Sequence, residues 1–179
     1  MVKLENNTRQ YKIGILGGTF DPPHKGHLAI SKEALKRFNF KNVTWVITKQ
    51  NPLKKVSKYS LKKRITLCKK VIGKNKKIKI EYYENKIKSN KTIDLINHLL
   101  KNKKINLYFL MGADNLINFH KWHKSNIIIK KCKIIIFDRH GYKKKSLNSK
   151  TYKNFKNDKT FTFVKFNKVN ISSSQLRKI

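Results

Sequence analysis

The feature that most constrains this chain is a repeated alternation of short apolar runs with longer stretches of helical periodicity. Tyr11–Leu16, Val43–Thr48, Lys77–Tyr83, Ile105–Met111, Lys133–Asp138 and Thr160–Phe166 are short, β-branched or aromatic, and bounded by Gly, Pro or polar residues. Between them, Lys25–Phe38, Ser60–Ile72 and Thr92–Leu100 carry apolar residues near a 3.6-residue spacing, and Trp122–Ile129 is read as a further helix although its Ile triplet suits a strand as well. Ser60 stands where a helix N-cap is needed. Arg139–Asp158 is polar and Lys-rich and is expected to be a mobile loop. Strand–helix alternation implies right-handed βαβ crossovers. The expected fold is therefore α/β: a doubly wound, mostly parallel sheet with helices on both faces. No repeat or linker divides the 179 residues, so a single domain, 1–179, is expected.

Ligands of such sheets sit beyond the carboxyl ends of the strands. The residues that follow each strand are thus the informative ones. Composition narrows the classes first. Hydrophobic residues make up 39%, enough for a core, and no apolar run approaches the roughly 18 residues of a membrane span. The first ten residues lack the apolar stretch of a signal peptide. Cys68 and Cys132 are too few for a disulfide framework and read as buried small hydrophobes, so a cytoplasmic setting is expected. The formal charge of +35 has two readings. One is a surface for nucleic acid. The other is compositional drift: 39 Lys stand against 5 Arg, and Lys, Ile and Asn together fill 79 positions. A surface built for phosphate or base contacts would use more Arg, whose planar fork binds two acceptors at once. Drift is the reading adopted, with no specific nucleic-acid partner and no membrane.

Four segments carry chemistry. After the first strand comes Gly17-Gly18-Thr19-Phe20-Asp21-Pro22-Pro23-His24-Lys25-Gly26-His27. Two glycines let backbone N–H groups approach an anion, and the helix that follows presents further free N–H groups and a positive dipole end. His24 and His27, three apart at that helix start, can face the same side and donate to developing phosphate charge. No Cys is nearby, and His-x-x-His alone supplies too few metal ligands, so no protein-held metal is expected. At the other end, Ile171-Ser172-Ser173-Ser174-Gln175-Leu176-Arg177 reads as a capped helix start with a guanidinium one turn on. Gly112-Ala113-Asp114-Asn115 follows the fourth strand, where Asp114 suits either ribose contact or an N-cap, and Trp122 follows shortly after. Asn51-Pro52-Leu53-Lys54 follows the second, with Arg64 on the next helix.

The first segment resembles the H-x-G-H superfamily of nucleotidyltransferases, in the form typical of nicotinate-nucleotide adenylyltransferases. The C-terminal segment is similar to the I-S-S-T-x-I-R signature of the same family, with Ser174 for Thr and Leu176 for Ile. The resemblance covers Lys12 to Arg177 and implies a Rossmann-like nucleotidyltransferase fold. It also implies joining of ATP to nicotinate mononucleotide, giving deamido-NAD and pyrophosphate. It implies catalytic roles for His24, His27, Lys54 and Arg177. ATP would meet Gly17, Gly18, Thr19, Phe20, His24, His27, Gly112, Asp114, Ser172, Ser173 and Arg177. The nicotinate nucleotide would meet Thr19, Lys54, Thr92, Trp122 and Arg139. Mg²⁺ would arrive on the ATP phosphates and keep most of its waters. Relatives usually continue for another helix after the Ser-rich motif, so the closing helix is expected to be short or completed by packing elsewhere; a homo-oligomer is left open. Phosphopantetheine adenylyltransferase is the neighbouring alternative, and a basic nucleic-acid-binding module the alternative from another class. His98, His120, His123 and His140 are read as surface or structural.

Overall fold

The computed structural model describes residues 10–51, 53, 56–139, 141–156, 160–166 and 173–176. Six strands form one sheet: β1 (Tyr11–Gly18), β2 (Asn42–Ile47), β3 (Ile78–Glu81), β4 (Ile105–Gly112), β5 (Lys133–Phe137) and β6 (Phe161–Val164). Their order is β3-β2-β1-β4-β5-β6. Every neighbouring pair is parallel, one step beyond the expected mostly parallel sheet. The long helices are α1 (Lys25–Phe38), α2 (Leu61–Ile72), α4 (Thr92–Leu100) and α6 (Ser125–Lys131). Shorter ones are α3 (Glu84–Ile87), α5 (Ala113–Ile117), α7 (Lys143–Leu147), α8 (Lys150–Phe155) and α9 (Ser173–Leu176).

Side chains alternate across the strands and so build two cores, one on each face. Leu16, Trp45, Leu110 and Phe137 point toward Ala34 of α1 and Cys68 of α2. Ile15, Phe109, Met111 and Ile136 point toward Ile96 of α4, Leu116 of α5 and Ile128 of α6. Both cysteines are free and buried, as their sequence context implied. Gly14 shows how tightly β1 is covered. A Cβ there would lie 3.1 Å from both the Leu110 side chain and the Phe40 ring. The chain winds from β1 toward β3 on one side and from β4 toward β6 on the other. The order therefore reverses between β1 and β4, which opens a crevice at their carboxyl ends.

Two expectations need correction. Among its described residues, Arg139–Asp158 is not a mobile loop but holds α7 and α8. Its hydroxyls serve the backbone: Ser149 caps α8 by accepting from the Tyr152 N–H, and the fully buried Thr151 accepts from the His120 N–H at 2.9 Å. These short helices exist through packing, which hydropathy patterning does not register. The helix expected at Trp122 starts later, at Ser125, because a 3-10 turn over Phe119–Lys121 ends in extended backbone at Trp122. Ser60 caps α2 as expected, accepting from Lys63 N–H at 3.3 Å. Among the described residues, no helix is long and apolar enough to cross a membrane.

Candidate active site

A cavity of about 580 Å³ opens at the crevice. Gly17, Gly18 and Thr19 reach it from the end of β1, and His24 and His27 from the start of α1. Thr92 enters from α4, and Gly112, Asp114 and Trp122 from the segment after β4. Arg139 arrives from the end of β5 and Ser173 from α9. Residues predicted from five separate stretches of sequence thus line one cavity. Lys54, Ser172, Arg177 and His140 lie outside the described residues.

The two imidazoles form a reciprocal cap on α1. His24 is the N-cap, and its Nδ1 accepts from the Gly26 N–H at 3.1 Å. His27 Nδ1 accepts from the His24 N–H at 3.2 Å. A ring nitrogen that accepts carries no proton, so each neutral ring carries its proton on Nε2. The ring centroids are 3.8 Å apart. Burial pulls the His24 imidazole down to about 4; the Arg139 guanidinium adds to this and the Asp114 carboxylate opposes it. His24 is therefore a neutral donor at neutral pH.

His27 is held from below. Its ring packs against Phe20 at 4.7 Å, and Phe20 stacks on Trp45 at 5.0 Å. Trp45 Nε1 donates to Ser31 Oγ, which donates to the His27 carbonyl. Phe20, at 2% exposure and φ +49°, is a bulky residue in the left-handed region. Strain of that kind persists only where packing over-determines it. Phe20 borders the cavity chiefly as a support beneath the imidazoles.

On the opposite side, Asp114 Oδ2 accepts from Arg139 at 2.8 Å, with each side chain about a quarter exposed. Gly112, not Asp114, is the N-cap of α5. That resolves the two readings of Asp114 against a capping role. A Cβ on Gly112 would come within 2.4 Å of Asp114 Oδ1, so this carboxylate position requires glycine. Trp122 packs edge-on to Phe109 at 5.7 Å and against Phe119 at 5.1 Å. Lys91, the N-cap of α4, supplies no side-chain cap, which among the described residues leaves the Thr92 and Ile93 N–H groups open. Ser89 fixes the approach, accepting from the Lys91 N–H and donating to Asp94. The first and last of the predicted motifs meet where Ser173 Oγ donates to the Pro22 carbonyl at 2.8 Å, across 151 residues.

Sequence reasoning placed Arg64 correctly on α2 and missed other residues. Arg64 does not reach the cavity; it is 2% exposed and donates to backbone carbonyls. Asp21, quoted only as part of a motif, is a buried carboxylate accepting from Lys58 and Tyr59 N–H at 2.6 and 3.0 Å. Glu84 and His123 both line the cavity, and neither was a candidate. The rarity of acids in this chain was the one signal that pointed to Asp21 and Glu84.

Residues 15–179 match the family model described as Cytidylyltransferase-like. A probable nicotinate-nucleotide adenylyltransferase of Pelagibacter ubique (strain HTCC1062) is 64% identical over 181 residues, covering 100% of each chain. Another, of Aquifex aeolicus (strain VF5), is 33% identical over 165 residues, 90% of this chain and 98% of that one. Among solved structures, Plasmodium falciparum nicotinic acid mononucleotide adenylyltransferase complexed with NaAD shares the fold. Its TM-score is 0.76 at 20% identity, over 94% of this chain and 83% of that one. With this fold, this cavity and these relatives, the chain belongs to the cytidylyltransferase-like family and, within it, to the nicotinate-nucleotide adenylyltransferases.

Proposed function

We infer that this cavity joins nicotinate mononucleotide to ATP, releasing pyrophosphate and forming the deamido dinucleotide of NAD biosynthesis. One observation carries the reading. Two imidazoles that use Nδ1 for the helix cap and keep Nε2 outside it share a cavity with the N-terminus of α4 and with Trp122. The first set suits a polyphosphate and the second an aromatic carboxylate.

The acceptor phosphate attacks the α-phosphorus of ATP in line, a P–O bond forms, and the bond to the β-phosphate oxygen breaks. Phosphate is already an adequate nucleophile, so no protein nucleophile is needed. The protein's work is to hold two polyanions together and to stabilise charge on the transferring group. In this reading His24 and His27 donate from Nε2 to its oxygens, and the Gly17–Thr19 backbone lets the triphosphate approach closely. Lys54, Ser172 and Arg177 add charge and hydroxyls on the strength of the motifs they belong to. Asp114 meets the adenosine, Trp122 lies against the pyridine ring, and the α4 N–H groups read its carboxylate.

Mg²⁺ fits this site as a passenger of ATP. The carboxylates around the cavity are engaged by protein donors: Asp114 by Arg139, Asp138 by the Arg139 N–H, and Glu84 by Thr48 and the Lys49 N–H. The ion would take its ligands from phosphate oxygens and water and would neutralise phosphate charge. Two free, buried thiols support a reducing, cytoplasmic setting.

The test is pyrophosphate release with ATP and a panel of acceptors: nicotinate mononucleotide, nicotinamide mononucleotide and phosphopantetheine. Nicotinate mononucleotide should be preferred clearly. The amide would leave a buried polar group mismatched at a cost of about 1–3 kcal/mol. Equal rates with the amide would remove α4 from the specificity argument, and preference for phosphopantetheine would overturn the acceptor.

A further inference from the structure

Arg64 sits at the start of α2, outside the cavity, and joins loops that are far apart in sequence. Its NH1 donates to the Thr19 carbonyl at 2.6 Å and to the Thr48 carbonyl at 2.8 Å. NH2 donates to the Lys49 carbonyl at 2.8 Å and Nε to the Tyr59 carbonyl at 3.0 Å. Thr19 belongs to the loop after β1 that leads to the imidazoles; Thr48 and Lys49 begin the loop after β2. The Thr48–Lys49 segment is gripped from its other side too. Glu84, on α3, accepts from Thr48 Oγ1 and from the Lys49 N–H. Asp21 fastens the far end of the same region to Lys58 and Tyr59.

A guanidinium suits this task for geometric reasons. Its planar fork presents five donors in fixed directions, and here one cation engages four carbonyls in three segments. Burial pulls this guanidinium below its ordinary value, while Asp21, and more weakly Glu84, favour its charged form. It stays charged at any working pH.

We propose that Arg64 is a positioning residue for the transfer reaction: it sets the spacing between the loop after β1 and the loop after β2. The inference rests on the adenylyl-transfer reading above, in which those loops face the two reacting nucleotides. Each half-site is built mostly from its own residues and should still bind without Arg64. What should be lost is the alignment of acceptor phosphate and α-phosphorus, where a displacement near 1 Å costs about a hundredfold in rate.

The experiment measures kcat and both KM values for Arg64→Lys, below its melting temperature. Lysine keeps the charge but cannot span the carbonyls. The expected result is a kcat lower by about 30- to 100-fold with both KM values within about threefold. Val43→Ala, a buried truncation at the opposite end of β2, is the stability control. It should lose comparable melting temperature and keep kcat. In Arg64→Ala, added guanidinium ion at sub-denaturing concentration should restore part of the lost kcat. If the Arg64 variants are insoluble, Thr48→Val removes one grip on the segment and should lower kcat about fivefold at unchanged KM. An Arg64→Lys kcat within threefold of wild type, or a loss matched by Val43→Ala, overturns the proposal. So does an unaffected Thr48→Val. Wild-type protein that releases no pyrophosphate with any acceptor sinks the functional reading itself, before any variant is made.

Discussion

The two sides of the cavity are held in different ways. On the β1–β2 side, the loops are fixed by buried charge on backbone: Asp21 and Arg64, each 2% exposed, meet N–H and carbonyl groups of neighbouring segments. On the β4–β5 side, the binding residues Asp114 and Arg139 hold one another through an ion pair whose side chains are each about a quarter exposed. Breaking the first kind of contact strands polar groups away from water, whereas water can replace the second kind. The side expected to stabilise the transferring adenylyl group is thus pre-organised. The side expected to meet adenosine and the pyridine ring can exchange its internal partner for a ligand.

Asp21→Ala is the strongest way to break this contrast. It removes the acceptor of two N–H groups and the anion that most favours the charged Arg64, and should lower unfolding free energy by roughly 3 kcal/mol. Asp114→Asn should change it by less than about 1 kcal/mol. Urea melts of both decide; similar losses would mean that the sides do not differ. Next comes Gly112→Ala. Its methyl would collide with Asp114 Oδ1, so the fold should persist while kcat/KM for ATP drops about tenfold, the scale of one displaced contact. An unchanged constant would remove Asp114 from the ATP site.

A smaller effect concerns pH. His24 is neutral in the folded protein until pH approaches about 4, whereas an unfolded histidine protonates near 6.5. Between those values the unfolded state binds more protons, so His24 contributes a loss of stability as pH falls through that window. Urea midpoints at pH 7 and pH 5 should show a decrease that shrinks in His24→Gln; an unchanged decrease would place the dependence elsewhere. Least affected of all should be the thiols. Burial pushes Cys68, partly opposed by Arg64, and Cys132 up to about 12. Neither should react with iodoacetamide in the native protein, and rapid modification would contradict their packing.

The contrast also governs what could be read from sequence. Strand positions and the long helices follow from periodicity, and β1 to β6 fall within a few residues of their expected bounds. The glycine- and histidine-rich turn was legible because its residue types imply phosphate chemistry. Arg64 was not: a lone arginine on an amphipathic helix says nothing about carbonyls brought beside it by three separate segments. The short helices α7 and α8 were illegible for a related reason. Ser146, Ser149 and Thr151 look like solvent-facing polarity until their backbone partners are in place. Local chemistry is written locally, while positioning is written in the topology.

The central claim is that the α1 imidazoles stabilise an adenylyl group in transfer. The most direct measurement is the turnover number of His27→Ala against wild type, with ATP and nicotinate mononucleotide saturating and the variant shown to be folded. Removing the Nε2 donor should lower kcat by about a hundredfold or more. A variant within a few-fold of wild type would contradict the account.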